Sequence, residues 1–127
     1  MTVKIYYHHT DCGGVVYYAN YLNFLEEART EFFSQRGFSI KELADSGVMF
    51  VVARQEIDYK MPVVYGDTLE INTGVKEISA VKIIFEHEIR NQKGQVTTKA
   101  RTTLVCVDKA LKPKGIPEGI RNKFQTL

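Results

Sequence analysis

The residues best equipped for chemistry lie close together near the start of the chain, in Tyr7-His8-His9-Thr10-Asp11-Cys12-Gly13-Gly14-Val15-Val16-Tyr17-Tyr18-Ala19-Asn20-Tyr21. An aspartate offers a carboxylate at neutral pH, able to attack an electrophilic carbon or to take a proton from water. Asp11 is followed by two glycines, which let the backbone turn sharply or approach a ligand closely, and then by a short apolar hook. A helical pattern begins immediately afterwards. The first turn of a helix has N–H groups without intrahelical partners, and its dipole adds partial positive charge, so an oxyanion is stabilised there. Asp before Gly is also an ordinary turn, and on spacing alone Asp11 could simply cap one.

Other groups compete for a chemical role. Cys12 follows two histidines and precedes a helix start, a setting that lowers a thiol pKa, although cysteine is more often a small buried hydrophobe. His87 alternates with Ile83, Phe85 and Ile89 and reads as a sheet residue. Glu26, Glu27 and Glu31 lack an HExxH or ExxH pattern, and Cys12 and Cys106 have no zinc spacing, so no metal site is expected.

The elements that must hold Asp11 are legible from periodicity. Residues 3–8 are β-branched and aromatic, which predicts a first strand running into the Asp11 turn. Over residues 20–35, Tyr21, Leu22, Phe24, Leu25, Ala28, Phe32 and Phe33 recur at helical spacing, predicting a long helix that Gly37 stops. Ser39-Ile40-Lys41-Glu42 has the form of a capping box and opens a short second helix that Gly47 can close. Residues 49–59, 68–78, 81–89 and 96–107 read as strands, with turns at Tyr65-Gly66-Asp67 and Asn91-Gln92-Lys93-Gly94. The last three form an antiparallel meander. The fold class is therefore α+β: a curved antiparallel five-stranded sheet wrapped around one long helix, with a short second helix. Valine, isoleucine and aromatic residues are also expected on the outer face of the sheet, where a second copy could cover it or extend its edge.

Composition bounds the rest. With 127 residues, 44% hydrophobic and 25% charged, the chain (1–127) reads as a single domain with a real core but little room for a private ligand cavity, which favours a pocket between subunits. The 17 Lys and Arg against 15 Asp and Glu are interspersed, unlike the basic stripe of a nucleic-acid binder. They thicken through Lys109, Lys112, Lys114, Arg121 and Lys123, either as a solvated tail or as a contact for an anionic ligand or partner. Distant cysteines, the lack of a signal peptide and the lack of an apolar run of ~20 residues predict a cytoplasmic protein without a membrane span.

The segment from Tyr7 to Tyr21 resembles the signature of hotdog-fold acyl-CoA thioesterases of the 4-hydroxybenzoyl-CoA thioesterase and YbgC-type branch. Further matches are Phe24-Leu25-Glu26-Glu27-Ala28-Arg29-Thr30-Glu31, Phe50-Val51-Val52 with Ile57-Asp58-Tyr59, Gly66-Asp67-Thr68-Leu69-Glu70-Ile71 and Val105-Cys106-Val107-Asp108, so the likeness covers residues 3–117. It implies dimers that join their sheets, usually a homotetramer of two dimers, and hydrolysis of an acyl thioester to free acid and CoA without a metal or redox cofactor. On this chain it implies that Asp11 attacks the thioester or activates water and that the backbone N–H of Tyr18 polarises the carbonyl. Tyr7, Gly14, Val15, Phe50, Val51 and Val52 then bind the acyl-CoA substrate; an acyl carrier protein is the other candidate thiol carrier. Two departures stand out. Tyr18 replaces a histidine found in many YbgC-type members, and a phenol is too weak a base to stand in for imidazole. The basic cluster that meets the nucleotide phosphates in the 4-hydroxybenzoyl enzymes falls at Ser79-Ala80-Val81 here, leaving Lys82 or the Lys-rich C-terminal segment as substitutes. The alternative function is a non-catalytic hotdog module that binds acyl-CoA or acyl carrier protein.

Overall fold

In a computed structural model, which describes residues 1–125, the apolar stripe that begins near Asn20 forms one helix, α1 (Asn20–Gln35). Its buried side is Tyr21, Phe24, Leu25, Ala28, Arg29, Phe32 and Phe33, spaced three and four residues apart as a one-sided helix requires. Gly37, at φ +87°, ends it in the left-handed conformation that glycine adopts without a Cβ penalty. Helix α2 (Ile40–Asp45) starts as expected, with Ser39 Oγ accepting the Glu42 N–H at 3.2 Å.

Five strands follow the predicted order: β1 (Thr2–Lys4), β2 (Met49–Tyr59), β3 (Thr68–Ile78), β4 (Lys82–Arg90) and β5 (Val96–Val107). They form one antiparallel sheet in the order β1-β3-β4-β5-β2, so the expected meander β3-β4-β5 lies at its centre. Strands β1 and β2 are its two edges. Inward-facing Leu69, Ile71, Ile83, Phe85, Ile89, Ala100 and Leu104 pack with α1.

Three features differ from the sequence reading. The first strand ends at Lys4, and residues 7–9 form a 3-10 turn in place of further strand. There the Tyr6 N–H donates to His9 Nδ1 at 2.9 Å and the Thr10 hydroxyl to the Tyr7 carbonyl at 2.8 Å. Local side chains thus satisfy backbone groups that a ladder would otherwise need. The Lys-rich C-terminal segment ends in a helix, α3 (Glu118–Gln125), anchored by Ile120 and Phe124 with the preceding Ile116. The outer sheet face keeps part of the expected apolar character in Val51, Ile84 and Val105 but is crossed by the ion pairs Arg54–Glu56, Arg90–Glu88, Lys99–Glu88 and Arg101–Glu86. Along the edge strand β2, Val51, Val52 and Tyr59 are 38%, 52% and 50% exposed.

A polar belt splits the core into two apolar clusters. Ala28, Ile89 and Ala100 belong to one cluster and Phe32, Phe85 and Leu104 to the other, with Arg29, His87 and Thr102 between them on α1, β4 and β5. Arg29 donates to the Thr102 hydroxyl at 3.3 Å, and that hydroxyl donates to Gln55 Oε1 on β2 at 2.8 Å. His87 Nδ1 meets the Thr73 hydroxyl at 3.1 Å, while its Nε2 is buried without a partner among the described residues.

Candidate active site

Asp11 stands exposed on a hairpin-like turn closed by its own backbone. Its N–H donates to the Val15 carbonyl at 2.9 Å, and its carbonyl accepts the Gly14 N–H at 3.1 Å. Gly14 has φ +80°, so the turn depends on a residue that enters the left-handed region freely. The carboxylate is held at one end only. Oδ1 accepts the Gly13 N–H at 2.8 Å, leaving Oδ2 available to a substrate or a water.

The turn is fastened to the start of α1. Thr10 bridges Val16, the Tyr17 N–H donates to the His9 carbonyl at 2.8 Å, and Asn20 Nδ2 donates to that same carbonyl at 2.8 Å. On its far side the hook lies along the β2–β3 connection, with Val15 bridging Val64 and the Val16 N–H donating to the Val63 carbonyl at 2.8 Å. The Asn20, Tyr21 and Leu22 amides donate to the Tyr17, Tyr18 and Ala19 carbonyls, starting the helix. Among the described residues the Tyr18 N–H donates to no backbone carbonyl. It is an unused donor at the positive end of α1, covalently and by hydrogen bonds tied to the Asp11 turn.

Tyrosines surround this pair. The Tyr7 ring, 74% exposed, stacks on Tyr65 with centroids 3.9 Å apart and planes 13° from parallel. The Tyr18 side chain is exposed, and its ring lies 4.8 Å from that of Tyr17. The hydrogen bond between these two phenols pushes the Tyr17 pKa above the ordinary tyrosine range, with their mutual repulsion second. Tyr59, at the end of β2, contacts Tyr21 at 5.1 Å, and its pKa is raised by burial first and by Tyr18 second. Tyr59 lay within a stretch that carries the resemblance and Tyr65 within a predicted turn, but neither was marked as a site residue, because their place depends on the loop from β2 to β3 running along the hook.

Phe50, Val51 and Val52 are elsewhere. Val52 and Phe50 line a cleft of about 200 Å³ with Arg29, Phe33, Ile40 and Leu104, between α1, α2 and the start of β2. Val51, paired with Val105, points to the opposite face. The Asp11 turn sits at the other end of β2, which the chain follows through Val63 and Val64 to reach it. One chain therefore holds a carboxylate and a free amide at one end of its edge strand and an apolar cleft at the other. A depression of about 390 Å³ with charged residues in its lining lies at Gly74, away from all these residues.

A curled five-stranded sheet around a long helix is the architecture of the hotdog-fold thioester hydrolases. The chain belongs to the thioesterase-like superfamily, whose model matches residues 6–124. It is 36% identical over 124 residues to the acyl-CoA thioester hydrolase YbgC of Escherichia coli O157:H7, covering 97% of this chain and 92% of that one. It is 35% identical over 127 residues to the acyl-CoA thioesterase YbgC of Haemophilus influenzae, covering 98% and 93%. Among solved structures, the DHNA-CoA thioesterase of Staphylococcus aureus superimposes with a TM-score of 0.94 at 26% identity, over 98% of this chain and 87% of that one.

Proposed function

We propose that the protein hydrolyses acyl-CoA thioesters to free acid and CoA, with Asp11 and the Tyr18 backbone amide as the catalytic groups. The observation that carries this reading is the fastening of the Asp11 turn to a helix start whose Tyr18 N–H is unused. The thioester oxygen accepts the Tyr18 N–H, which stabilises the charge that builds on it as the carbonyl carbon becomes tetrahedral. Asp11 Oδ2 either attacks that carbon, giving an anhydride that water opens, or takes a proton from the attacking water. Both routes release the thiol of CoA and a carboxylic acid. Neither draws on a metal or a redox group. The two cysteines are unpaired, Cys12 exposed and Cys106 buried, which suits a reducing cytoplasm.

The pocket is completed by a second copy. Strand β2 presents an open edge of 11 residues, and two such edges meeting antiparallel join the sheets. At ~3.3 Å per residue its ends lie ~33 Å apart, and the antiparallel arrangement sets the Phe50 and Val52 cleft of one copy beside the Asp11 and Tyr59 end of the other. Tyr7, Gly14 and Val15 then flank the thioester from one copy, and the apolar cleft of the other takes the acyl group. Pairing of two such dimers gives a tetramer.

The test is thiol release from a panel of acyl-CoAs by wild type and by Asp11→Asn. The amide side chain keeps an oxygen for the Gly13 N–H, so the turn survives. The expected result is folded protein with hydrolysis reduced at least ~100-fold; more than half the wild-type rate would remove Asp11 from the mechanism. Val52→Asp tests the pairing and should give a monomer in light scattering with activity lost alongside.

A further inference from the structure

Arg29 is a cation in the core with no counter-ion among the described residues. It projects from the buried side of α1, is 8% exposed, and stands where the two apolar clusters meet. A guanidinium carries five N–H donors and keeps its charge when buried. Here one nitrogen donates to the neutral Thr102 hydroxyl at 3.3 Å, and among the described residues no second protein acceptor meets the group. Every ion pair between described residues joins other cations, so no carboxylate lies within 4.0 Å of Arg29. Glu26, one turn earlier on α1, is exposed, and its Oε1 accepts the Thr30 hydroxyl at 3.3 Å. His87, on the sheet side, keeps its ring neutral and supplies no charge. Arginine is almost never buried this deeply unless it is paired.

The missing partner has a place to sit. Arg29 is the cation in the lining of the cleft of about 200 Å³ between α1, α2 and the start of β2, whose apolar walls are Phe33, Ile40, Phe50, Val52 and Leu104; Glu26 and Thr30 complete the lining. That volume is room for about six water-sized groups, which suits a short acyl chain. Apolar walls also strengthen the attraction between a cation and an anion placed against it.

We propose that Arg29 is a specificity-determining residue of this cleft and selects short acyl groups that end in a carboxylate. This rests on the thioesterase reading and on the cleft taking the acyl group. The terminal carboxylate accepts two parallel N–H bonds from the guanidinium and supplies the counter-charge that the protein omits. A methyl-ended chain of the same length fills the apolar walls but leaves Arg29 desolvated and unpaired. Hydrolysis of the favoured thioester with one water then gives a dicarboxylic acid and CoA.

The experiment compares glutaryl-CoA with hexanoyl-CoA, whose chain is about as long and carries no charge. Wild type should hydrolyse the glutaryl thioester with kcat/KM at least ~10-fold higher. Arg29→Met, which keeps a long apolar side chain, should abolish the preference, and Arg29→Lys should keep part of it. The ratio of the two kcat/KM values is the readout, because an arginine that merely braces Thr102 would lower both substrates together. An equal loss on both thioesters overturns the proposal, and so does a wild-type preference below about threefold. Should Arg29→Met fail to fold, wild type alone decides. Glutarate should then inhibit hydrolysis competitively at ~10-fold lower concentration than hexanoate, and equal inhibition overturns the proposal. Wild type hydrolysing neither of these thioesters nor benzoyl-CoA sinks the thioesterase reading itself; hydrolysis of the neutral thioesters with the glutaryl one refused sinks only the role of Arg29.

Discussion

Asn20 Nδ2 and the Tyr17 N–H converge on one acceptor, the His9 carbonyl, each at 2.8 Å. That carbonyl lies two residues before Asp11, and the two donors bracket Tyr18. The His9 carbonyl thus fastens the Asp11 turn to the start of α1, alongside the Thr10–Val16 bridge. The His9 ring adds to it by accepting the Tyr6 N–H at Nδ1, a role that needs the neutral ring; its pKa is lowered by burial first and by His8 second. Replacing Asn20 with Ala should cost about 1 kcal/mol of stability and lower kcat several-fold while KM changes little. Asn20→Ser, with a shorter donor, should recover part of the loss. Steady-state kinetics beside urea unfolding checks this, and a wild-type kcat in Asn20→Ala would show that the helix start is held without it.

The two glycines after Asp11 should fail differently. A Cβ on Gly14 meets nothing within 4 Å, but φ is +80° there, so Gly14→Ala should cost about 1–2 kcal/mol through backbone strain. A Cβ on Gly13 would lie 3.1 Å from Asp11 Oδ1. Gly13→Ala should push the carboxylate aside, lowering kcat with less effect on stability. Thermal unfolding and thiol release measured on both variants separate the two effects.

His87 makes stability depend on pH. Burial, with Arg29 second, lowers its pKa to about 4, against an ordinary value of 6.5, so the folded protein keeps the ring neutral. Between these values the unfolded chain binds the proton and the folded chain does not. The stability this group contributes is therefore complete above 6.5 and falls as the pH drops toward 4. From pH 7 to pH 5 the loss should be about 2 kcal/mol, and His87→Gln should flatten this part of the profile. Urea midpoints across the range provide the measurement; an unchanged slope in the variant would assign it to other groups.

Phe124 tests the C-terminal helix. It is 2% exposed and its ring meets Phe32 and Phe33 at 5.1 and 4.9 Å. Phe124→Ala should cost about 3–5 kcal/mol, seen as a lower Tm, with kcat retained at temperatures where the variant is folded because α3 is remote from the Asp11 turn.

Helix α1, the central meander and the Asp11 turn were legible because each rests on a local pattern: apolar spacing at three and four, strict alternation, and a carboxylate followed by glycines. Helix α3 was masked because its apolar content is two residues among charges, Ile120 and Phe124, and only the open end of the core makes them decisive. The early end of β1 was hidden for another reason. Tyr6, Tyr7 and His9 favour a strand by type, but the His9 ring accepting the Tyr6 N–H and the Thr10 hydroxyl donating to the Tyr7 carbonyl compete with the ladder.

The sequence by itself determined which residues face the core, where the chain must turn and which carboxylate stands before a helix start, since these follow from period and from backbone freedom. It placed Asp11 and Phe50 in one inventory of site residues without separating them. Only the tertiary structure decided that they lie at opposite ends of the edge strand and that ion pairs join neighbouring strands across the outer sheet face. Those are relations between segments distant in sequence, fixed by strand order and register, and no local pattern encodes them.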